Sequence, residues 1–351
     1  MTTSVPFRDV CRAIKESAFK TNRLPIIISL EVGADAEQQR VMVRIMKEEW
    51  GDLLLDKPFD GCDPSARAPR LEELYEKILI KVKRMSDDCL LESEVPERGR
   101  ATLPLSPPLP LGPKPPICEE LAALAIYTHS EHFKGHESLD LRSPSHIFSL
   151  SESAFLELAK DSDMTLKMLD HNRDFFMRIY PRGKRWDSSN PDPSIPWREA
   201  GAHMLAMNWQ TTDVGMMLND AMFADTGGWV LKPRSYLGGN SGVDVADDGT
   251  NNSVDSAVCM EPVARRNLDL KITVLAAQFL PLPQRNKQKG PGTKFRSLVK
   301  VDLHVEKQHR SLDYSRETTP RETDNPDWGF DATPLEFLDV RNVVEEISFV
   351  R

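Results

Sequence analysis

The sequence predicts an α/β protein of parallel strands and helices, followed by an antiparallel β-sandwich. Up to residue 211, apolar residues with helical spacing alternate with short apolar runs, a pattern that is typical of βα units. From residue 267 onward, apolar and polar residues alternate singly, as they do in half-buried antiparallel strands. The change of pattern divides the 351 residues into an α/β part and a β part.

The first segment of the α/β part contains two helices and two strands. Apolar residues between positions 7 and 18 share one helical face, and a β-strand is predicted at residues 26–31. Asp35 is a suitable N-cap for a second amphipathic helix, whose apolar stripe includes positions 41–46. A second strand is predicted at residues 77–83.

The middle and last segments continue this division. A helix is predicted at residues 152–159, with strands at 175–180 and 204–211. In the last segment, apolar residues occupy every second position of residues 268–274 and 299–305. Such alternation predicts one buried and one solvated face for each strand, so residues 267–351 are interpreted as part of a β-sandwich.

Composition excludes several classes of protein. The net charge of −9 argues against a general nucleic-acid binder, because such a protein needs an excess of basic residues. The five cysteines are scattered, which favours reduced thiols in the cytoplasm over a disulfide framework. The longest uninterrupted apolar run, residues 26–30, is too short to span a bilayer, and the N-terminal residues do not resemble a signal peptide.

Two segments have the composition of linkers. Seven prolines fall between Pro104 and Pro116, and such a stretch favours extended, solvated backbone. It is interpreted as a linker, although its PxxP spacing also leaves open a ligand for a partner protein. A second break, rich in Gly, Asn and Asp, extends over residues 238–261.

Four of the predicted strands share a polar carboxyl end. Each has one wholly apolar face, while the other face becomes polar toward the end of the strand. If helices cover the apolar faces, the polar ends line the mouth of a barrel; an open sheet with one solvated face would show the same alternation. Lys81, Lys83, Arg178 and Tyr180 lie at these ends, and such a group suits a multiply phosphorylated ligand.

Several longer stretches of the chain form a recognisable series. They are FRDVCRAIKESAFKTNRLPIIISLE, KILIKVKR, FSLSES, FMRIYPRGKRWDSSNPDPSIPW, MLAMNWQT and NLDLKITVLAAQFLP. In order and spacing they resemble the eukaryotic phosphoinositide-specific phospholipase C enzymes, and the resemblance covers nearly the whole chain outside the two linkers.

This resemblance implies an incomplete TIM-type (β/α) barrel with about five of eight strands, followed by a truncated, C2-like antiparallel β-sandwich. It also implies a division of the chain into the end of an X half-barrel (1–84), a Pro-rich linker (85–117), a Y half-barrel (118–238), a flexible linker (239–266) and a truncated C2 domain (267–351).

The family's reaction is the calcium-dependent hydrolysis of phosphatidylinositol 4,5-bisphosphate to diacylglycerol and inositol trisphosphate, in lipid signalling. The resemblance therefore implies a phosphoinositide lipid as substrate, Ca²⁺ as cofactor, and a cytoplasmic protein in peripheral contact with membranes. No nucleic-acid partner is expected.

Six residues of this chain match the family's site residues. Lys81, Lys83 and Ser151 resemble contacts to the phosphates of the inositol ring, and Ser151 also suits an N-cap position. The resemblance makes Arg178 a further phosphate contact and Tyr180 the residue that packs on the inositol ring. Glu31 resembles a ligand of the catalytic calcium, for which carboxylate oxygens are preferred.

The departures from the family pattern concern catalysis. In the family, two catalytic histidines and three further calcium ligands precede the position that matches Met1, and none of the eight histidines here lies in a matching motif. We therefore expect a truncated chain that is inactive alone; the alternative is a non-catalytic remnant that binds a phosphoinositide headgroup or a partner. The pair His129 and His132 could bind a metal, but a surface loop is the preferred interpretation.

Overall fold

A computed structural model describes most of the chain and divides it into two compact units. The first unit comprises residues 1–188, 202–208 and 223–231, and the second comprises 189–201, 209–222 and 232–351. Most of the predicted linkers at 85–117 and 239–266 lies outside the described residues. The described residues are 4–83, 115–133, 135, 143–183, 185–237, 265–281, 296–305 and 314–351.

Two long helices and a strand form the start of the first unit. Helix α1 (Phe7–Ser17) and helix α2 (Ala36–Trp50) flank strand β1 (Ile26–Ser29) in the chain. Asp35 caps α2 as predicted, because its carboxylate accepts a hydrogen bond from the Gln38 N–H at 2.8 Å.

Parallel strands make up the sheets of the first unit. β1 pairs with β2 (Ile78–Lys81), while β3 (His129–His132), β4 (His146–Ser151), β5 (Phe176–Tyr180) and β6 (Met204–Leu205) form a second parallel sheet in that order. A parallel bridge between Lys83 and Ser130 joins the two sheets. The remaining helices described in this unit are short to medium in length: α3 (Glu119–Ala122), α4 (Glu152–Leu158) and α5 (Ser162–Asp174).

The two faces of the first strands bury different residues, as the alternation predicts. Ile28, Ile78 and Ile80 belong to a core that includes Met46 and Trp50 of α2. On the opposite face, Ile27 and Leu79 pack in a separate apolar cluster with Tyr127. The helices therefore cover one face, and the other face becomes polar only toward the carboxyl ends of the strands, at Ser29 and Lys81.

The second unit combines helix α6 (Ser194–Ala200) and most of α7 (Val214–Phe223) with antiparallel strands. β7 (Arg266–Ile272) pairs with β10 (Leu335–Val343), and β8 (Lys300–His304) lies between β9 (Ser315–Glu317) and β11 (Phe349–Val350). Side chains from both sheets, including Val301, Leu303, Phe337 and Val340, form one core. Antiparallel pairing after residue 267 was predicted and is confirmed.

The predicted strands differ from the observed ones mainly at their ends. The strand predicted at 204–211 is short, since only Met204–Leu205 pair with β5. Strands β3 and β4 were not predicted, so the described part of the first unit has six parallel strands where about five were expected. Their sequences HSEH and HIFSLS carry polar residues on both faces, which conceals the period of two. None of the described helices has the length and apolar character that crossing a membrane requires.

Candidate functional site

The carboxyl ends of neighbouring parallel strands bring the predicted polar residues side by side. Ser29 lies opposite Lys81, Ser149 lies opposite Arg178, and Ser151 lies opposite Tyr180. These pairs are separated by large distances in the sequence and are united only by the strand register. We call the group formed by Lys81, Arg178, Ser130 and Ser149 the basic pocket.

Lys81 is the most deeply buried charged residue of the predicted site. Its side chain is 4% exposed, and its Nζ donates hydrogen bonds to Ser130 Oγ at 2.9 Å and to Ser149 Oγ at 3.1 Å. Burial, aided by the positive charge of Arg178, lowers the pKa of Lys81 to about 8. Among the described residues, the Lys81 ammonium has two hydroxyl groups as hydrogen-bond partners, and no carboxylate forms an ion pair with it.

Arg178 shares the basic pocket with Lys81. Its guanidinium carbon lies 5.4 Å from the centre of the Tyr180 ring, a cation–π distance. Burial lowers the pKa of Arg178, while the ionised form of Tyr180 and the carboxylate of Glu31 act in the opposite direction. The influence of Glu31 places this predicted calcium ligand in the electrostatic environment of the same pocket.

The other predicted residues occupy the mouth of the strand ends. Ser151 caps α4, since its Oγ accepts a hydrogen bond from the Ala154 N–H at 3.2 Å. Tyr180 is 38% exposed and Lys83 is exposed. The structure thus places the buried Lys81 near the half-buried Arg178. Ser151 and Tyr180 are the last residues of β4 and β5, and Lys83 lies two residues after β2.

Two residues of the basic pocket were not predicted from the sequence. Ser130 and Ser149 hold the Lys81 ammonium, but they lie on β3 and β4, which were not predicted as strands. The signal for Ser149 was present in the stretch FSLSES, because Ser149 and Ser151 are two residues apart and share one face of a strand. Ser130 had no comparable signal, since its neighbours His129 and Glu131 are also polar.

The interpretation of His129 and His132 as a surface loop was wrong. These residues delimit strand β3, and His129 is 7% exposed. His129 Nε2 lies 2.9 Å from Glu131 Oε1, and both residues are on the strand face opposite Ser130. The polar composition suggested a loop, whereas residues 129–132 pair with β4 as a parallel strand.

The described residues do not fit a complete calcium site. No group of three or more His, Cys, Asp or Glu side chains able to hold a metal occurs among them. Calcium prefers six to eight oxygen ligands, and Glu31 supplies only one carboxylate.

Comparisons with known proteins identify the family. Residues 1–84 match the X domain of phosphatidylinositol-specific phospholipase C, and residues 121–235 match its Y domain. The chain is 32% identical to rat 1-phosphatidylinositol 4,5-bisphosphate phosphodiesterase delta-1, over 98% of this chain and 46% of the relative. It is 31% identical to 1-phosphatidylinositol 4,5-bisphosphate phosphodiesterase delta-3-A of zebrafish (Danio rerio), over 93% of this chain and 41% of the relative.

A solved structure shows the same similarity. The crystal structure of PLC21 from S. officinalis superposes with a TM-score of 0.70 at 29% identity, covering 99% of this chain and 41% of that protein. The chain spans less than half the length of each of these three proteins. With both domain matches and similarity over nearly its whole length, the chain belongs to the phosphatidylinositol-specific phospholipase C family.

Proposed function

We propose that the basic pocket binds the phosphorylated inositol headgroup of phosphatidylinositol 4,5-bisphosphate, the substrate of a phospholipase C. The observation that carries this proposal is the pair of neighbouring cations Lys81 and Arg178, both withdrawn from water. Among the described residues neither has a carboxylate in an ion pair. Two such cations destabilise each other, so an anion of high charge is the ligand that the site favours most.

The remaining residues suit the rest of the headgroup. Tyr180 presents an aromatic ring beside the Arg178 guanidinium, and such a ring can pack on the apolar face of a sugar-like ring. Ser151 is the last residue of β4, and Lys83 lies two residues after the end of β2. Their side chains would supply a hydroxyl and an ammonium to further phosphates. In this proposal the chain's own residues bind and orient the lipid headgroup.

The reaction we propose for the complete site is the family's hydrolysis of the phosphodiester bond, which releases diacylglycerol and inositol trisphosphate. Calcium would stabilise the charge on the reacting phosphate, and Glu31 is the residue proposed to contribute one ligand. We further propose a cytoplasmic location in peripheral contact with membranes. A partner at the Pro-rich segment remains a separate proposal, because that segment lies outside the described residues.

The architecture proposed around this site is a TIM-type barrel, incomplete in this chain, followed by a C2-like sandwich. Support comes from the parallel order β3–β4–β5–β6, the bridge that joins it to β2, and polar residues at the carboxyl ends of the strands. The two antiparallel sheets around one core support the sandwich.

A second candidate function is headgroup binding without catalysis. Acid–base catalysis needs a proton donor and acceptor near the scissile bond. Described contacts of the histidines include those of His129 with Glu131, of His146 with His171, and of His203 with the Met177 N–H. The resemblance moreover implies that the family's two catalytic histidines precede the position that matches Met1. We therefore propose that this chain binds the headgroup and does not hydrolyse the lipid unless another segment supplies the acid and base.

Titration calorimetry with inositol 1,4,5-trisphosphate tests headgroup binding. The full chain should bind this ligand, and Arg178→Met should weaken binding by roughly ten- to a hundredfold, since a charge-assisted contact contributes about 1.5–3 kcal/mol. The control Lys160→Met removes an exposed lysine that pairs with Glu157, and it should leave the affinity unchanged. Equal affinities of wild type and Arg178→Met would refute the pocket assignment.

Hydrolysis of phosphatidylinositol 4,5-bisphosphate in vesicles separates the two candidates. Binding without release of inositol trisphosphate supports the second candidate. Calcium-dependent release by the purified chain would instead establish the catalytic function and refute the second. A complementary measurement uses Arg178→Ala in a longer, active relative: turnover of the bisphosphorylated lipid should fall much more than turnover of unphosphorylated phosphatidylinositol.

A further inference from the structure

A buried ion pair joins the segments that follow two neighbouring strands of the first unit. Glu152 is the first residue of α4, directly after β4, and Arg185 lies in the loop that follows β5. Arg185 Nε donates a hydrogen bond to Glu152 Oε2 at 2.9 Å, and Arg185 Nη2 donates another to Glu152 Oε1. The side chain of Arg185 is 14% exposed and that of Glu152 is 12% exposed, so this two-pronged contact is largely withdrawn from water.

The same carboxylate also holds the backbone of the loop. The Arg182 N–H donates to Glu152 Oε2 at 3.4 Å, and the loop closes on itself through hydrogen bonds from the Arg185 N–H to the Arg182 carbonyl and from the Ser188 N–H to the Arg185 carbonyl. Burial alone raises the pKa of Glu152, but the hydrogen bonds from Arg185 and Arg182 outweigh it and keep that pKa below its usual range. Glu152 is therefore a carboxylate at neutral pH.

The ion pair is adjacent to two residues of the proposed headgroup site. Ser151 and Tyr180 are register partners at the ends of β4 and β5, and Glu152 directly follows Ser151. The hydrogen bonds from Arg182 and Arg185 to Glu152 therefore connect the loop after β5 to the residue that directly follows Ser151. Trp186, next to Arg185, is 95% exposed, so the loop is held by its arginine and not by burial of its aromatic residue.

The energetics favour a geometric role for this contact. A buried ion pair contributes little net stability, because desolvation of both charges offsets their attraction. Its planar, two-pronged geometry does restrict orientation, which is the property that a binding site requires of its supporting residues. Neither Glu152 nor Arg185 was singled out from the sequence.

We propose that the Glu152/Arg185 pair is a positioning device that holds Ser151 and Tyr180 in the geometry required to bind an inositol phosphate headgroup. This inference rests on the proposed headgroup binding. The loop after β5 is fixed to the start of α4, so the two strand ends cannot separate when the phosphates bind. Glu152 and Arg185 act through Ser151 and Tyr180, and they are positioning residues, not catalytic ones.

A purely electrostatic role would have a different signature. If only charge mattered, Glu152→Gln would leave an additional cation near the phosphates and strengthen binding, whereas Arg185→Met would leave a carboxylate and weaken it. If the pair positions the site, both variants weaken binding, because either change releases the loop. The sign of the Glu152→Gln effect therefore distinguishes the two roles.

The experiment measures affinity for inositol 1,4,5-trisphosphate in the full chain, with amide hydrogen exchange as a second measurement. We expect Glu152→Gln and Arg185→Met each to weaken binding by about tenfold. Exchange at the Arg182 and Ser188 amides should become faster in both variants. The matched control is Glu73→Gln. It breaks another two-pronged ion pair, in which Arg67 Nη1 and Nη2 lie 2.9 and 3.0 Å from the two carboxylate oxygens of Glu73. Glu73 precedes β2 in the chain, so this pair lies near the opposite ends of the strands.

The outcomes remain separable if a variant folds poorly or if headgroup binding fails. Glu152→Asp keeps the charge and shortens the side chain, so it tests geometry in a protein that should remain folded. Tighter binding by Glu152→Gln, or unchanged binding and exchange in Glu152→Asp and Arg185→Met, would overturn the proposal. If wild type does not bind the headgroup, the proposed function fails and, with it, the role in binding; faster exchange in the variants would then identify the pair as a structural clamp only.

Discussion

The charged residues of the basic pocket and those of the antiparallel strands are accommodated in opposite ways. In the pocket, burial lowers the pKa of Lys81 and of Arg178, and hydroxyl groups surround the Lys81 ammonium. In the second unit, Asp302 accepts hydrogen bonds from Arg351 Nη2 at 2.6 Å and Ser315 Oγ at 2.7 Å. These contacts hold the pKa of Asp302 below its usual range.

The difference separates charges that stabilise the fold from charges that prepare a site. Each charge around Asp302 has an opposite charge beside it, so the folded state favours its ionised form. The pocket cations are less stable as ions in the folded chain than in water. A buried cation without an opposite charge becomes favourable when an anionic ligand supplies that charge. The lowered pKa values of the two cations therefore support a binding role for the pocket.

The largest expected effect is a loss of folding stability when a core residue of the antiparallel strands is truncated. Phe337 is 1% exposed and lies opposite Leu270 in the pairing of β10 with β7. Phe337→Ala should lower the free energy of unfolding by about 3–5 kcal/mol, through lost burial and a cavity. Urea unfolding followed by tryptophan fluorescence measures this, with Leu338→Ala, at a 54% exposed position of the same strand, as the control. Similar losses in the two variants would contradict the assignment of the core.

Removing the pocket lysine should separate binding from stability. Lys81→Met keeps the buried stem and removes the ammonium, so inositol 1,4,5-trisphosphate affinity should fall by about a hundredfold. The melting temperature should stay the same or rise, because the variant no longer buries a charge without an opposite charge. A clear loss of stability with unchanged affinity would show that Lys81 serves the fold and would remove the contrast between the two regions.

The pH dependence of the pocket should follow the pKa of Lys81. Its folded pKa of about 8 lies below the ordinary lysine value of 10.5, so the unfolded chain binds more protons between these values. Stability should therefore rise as the pH increases from 8 toward 10.5, while headgroup affinity falls by up to about tenfold per pH unit above 8. Calorimetric titrations at several pH values test this, and Lys81→Met should abolish the Lys81 contribution to both trends.

The smallest expected effect concerns Asp302, and its pH dependence has the opposite sign. Because the folded pKa of Asp302 is depressed, its contribution to stability is present above the ordinary value of 3.8 and is lost as the pH falls below it. Asp302→Asn should lower the free energy of unfolding at neutral pH by about 1 kcal/mol. Unfolding of both proteins at pH 3 and pH 7 is the measurement, and an equal difference at the two pH values would contradict this account.

Much of the fold was predictable because local patterns agree with the tertiary structure. The period of two in residues 26–31 and 77–83 identified β1, β2 and their apolar faces, and Asp35 marked the start of α2. The segments HSEH and HIFSLS were not predicted as strands, since polar residues on both faces of β3 and β4 hide their alternation. Burial by neighbouring strands, which the sequence does not express locally, makes them strands.

For the site, the sequence by itself determined which residues carry charge and which share a strand face. It therefore identified Lys81, Lys83, Arg178 and Tyr180 as a possible group, because residues two apart on a strand point in the same direction. Only the tertiary structure decided the register that places Ser149 opposite Arg178 and within reach of Lys81. It also decided that Lys81 is buried whereas Lys83 is exposed, since burial depends on the neighbouring strands and not on the alternation within one strand.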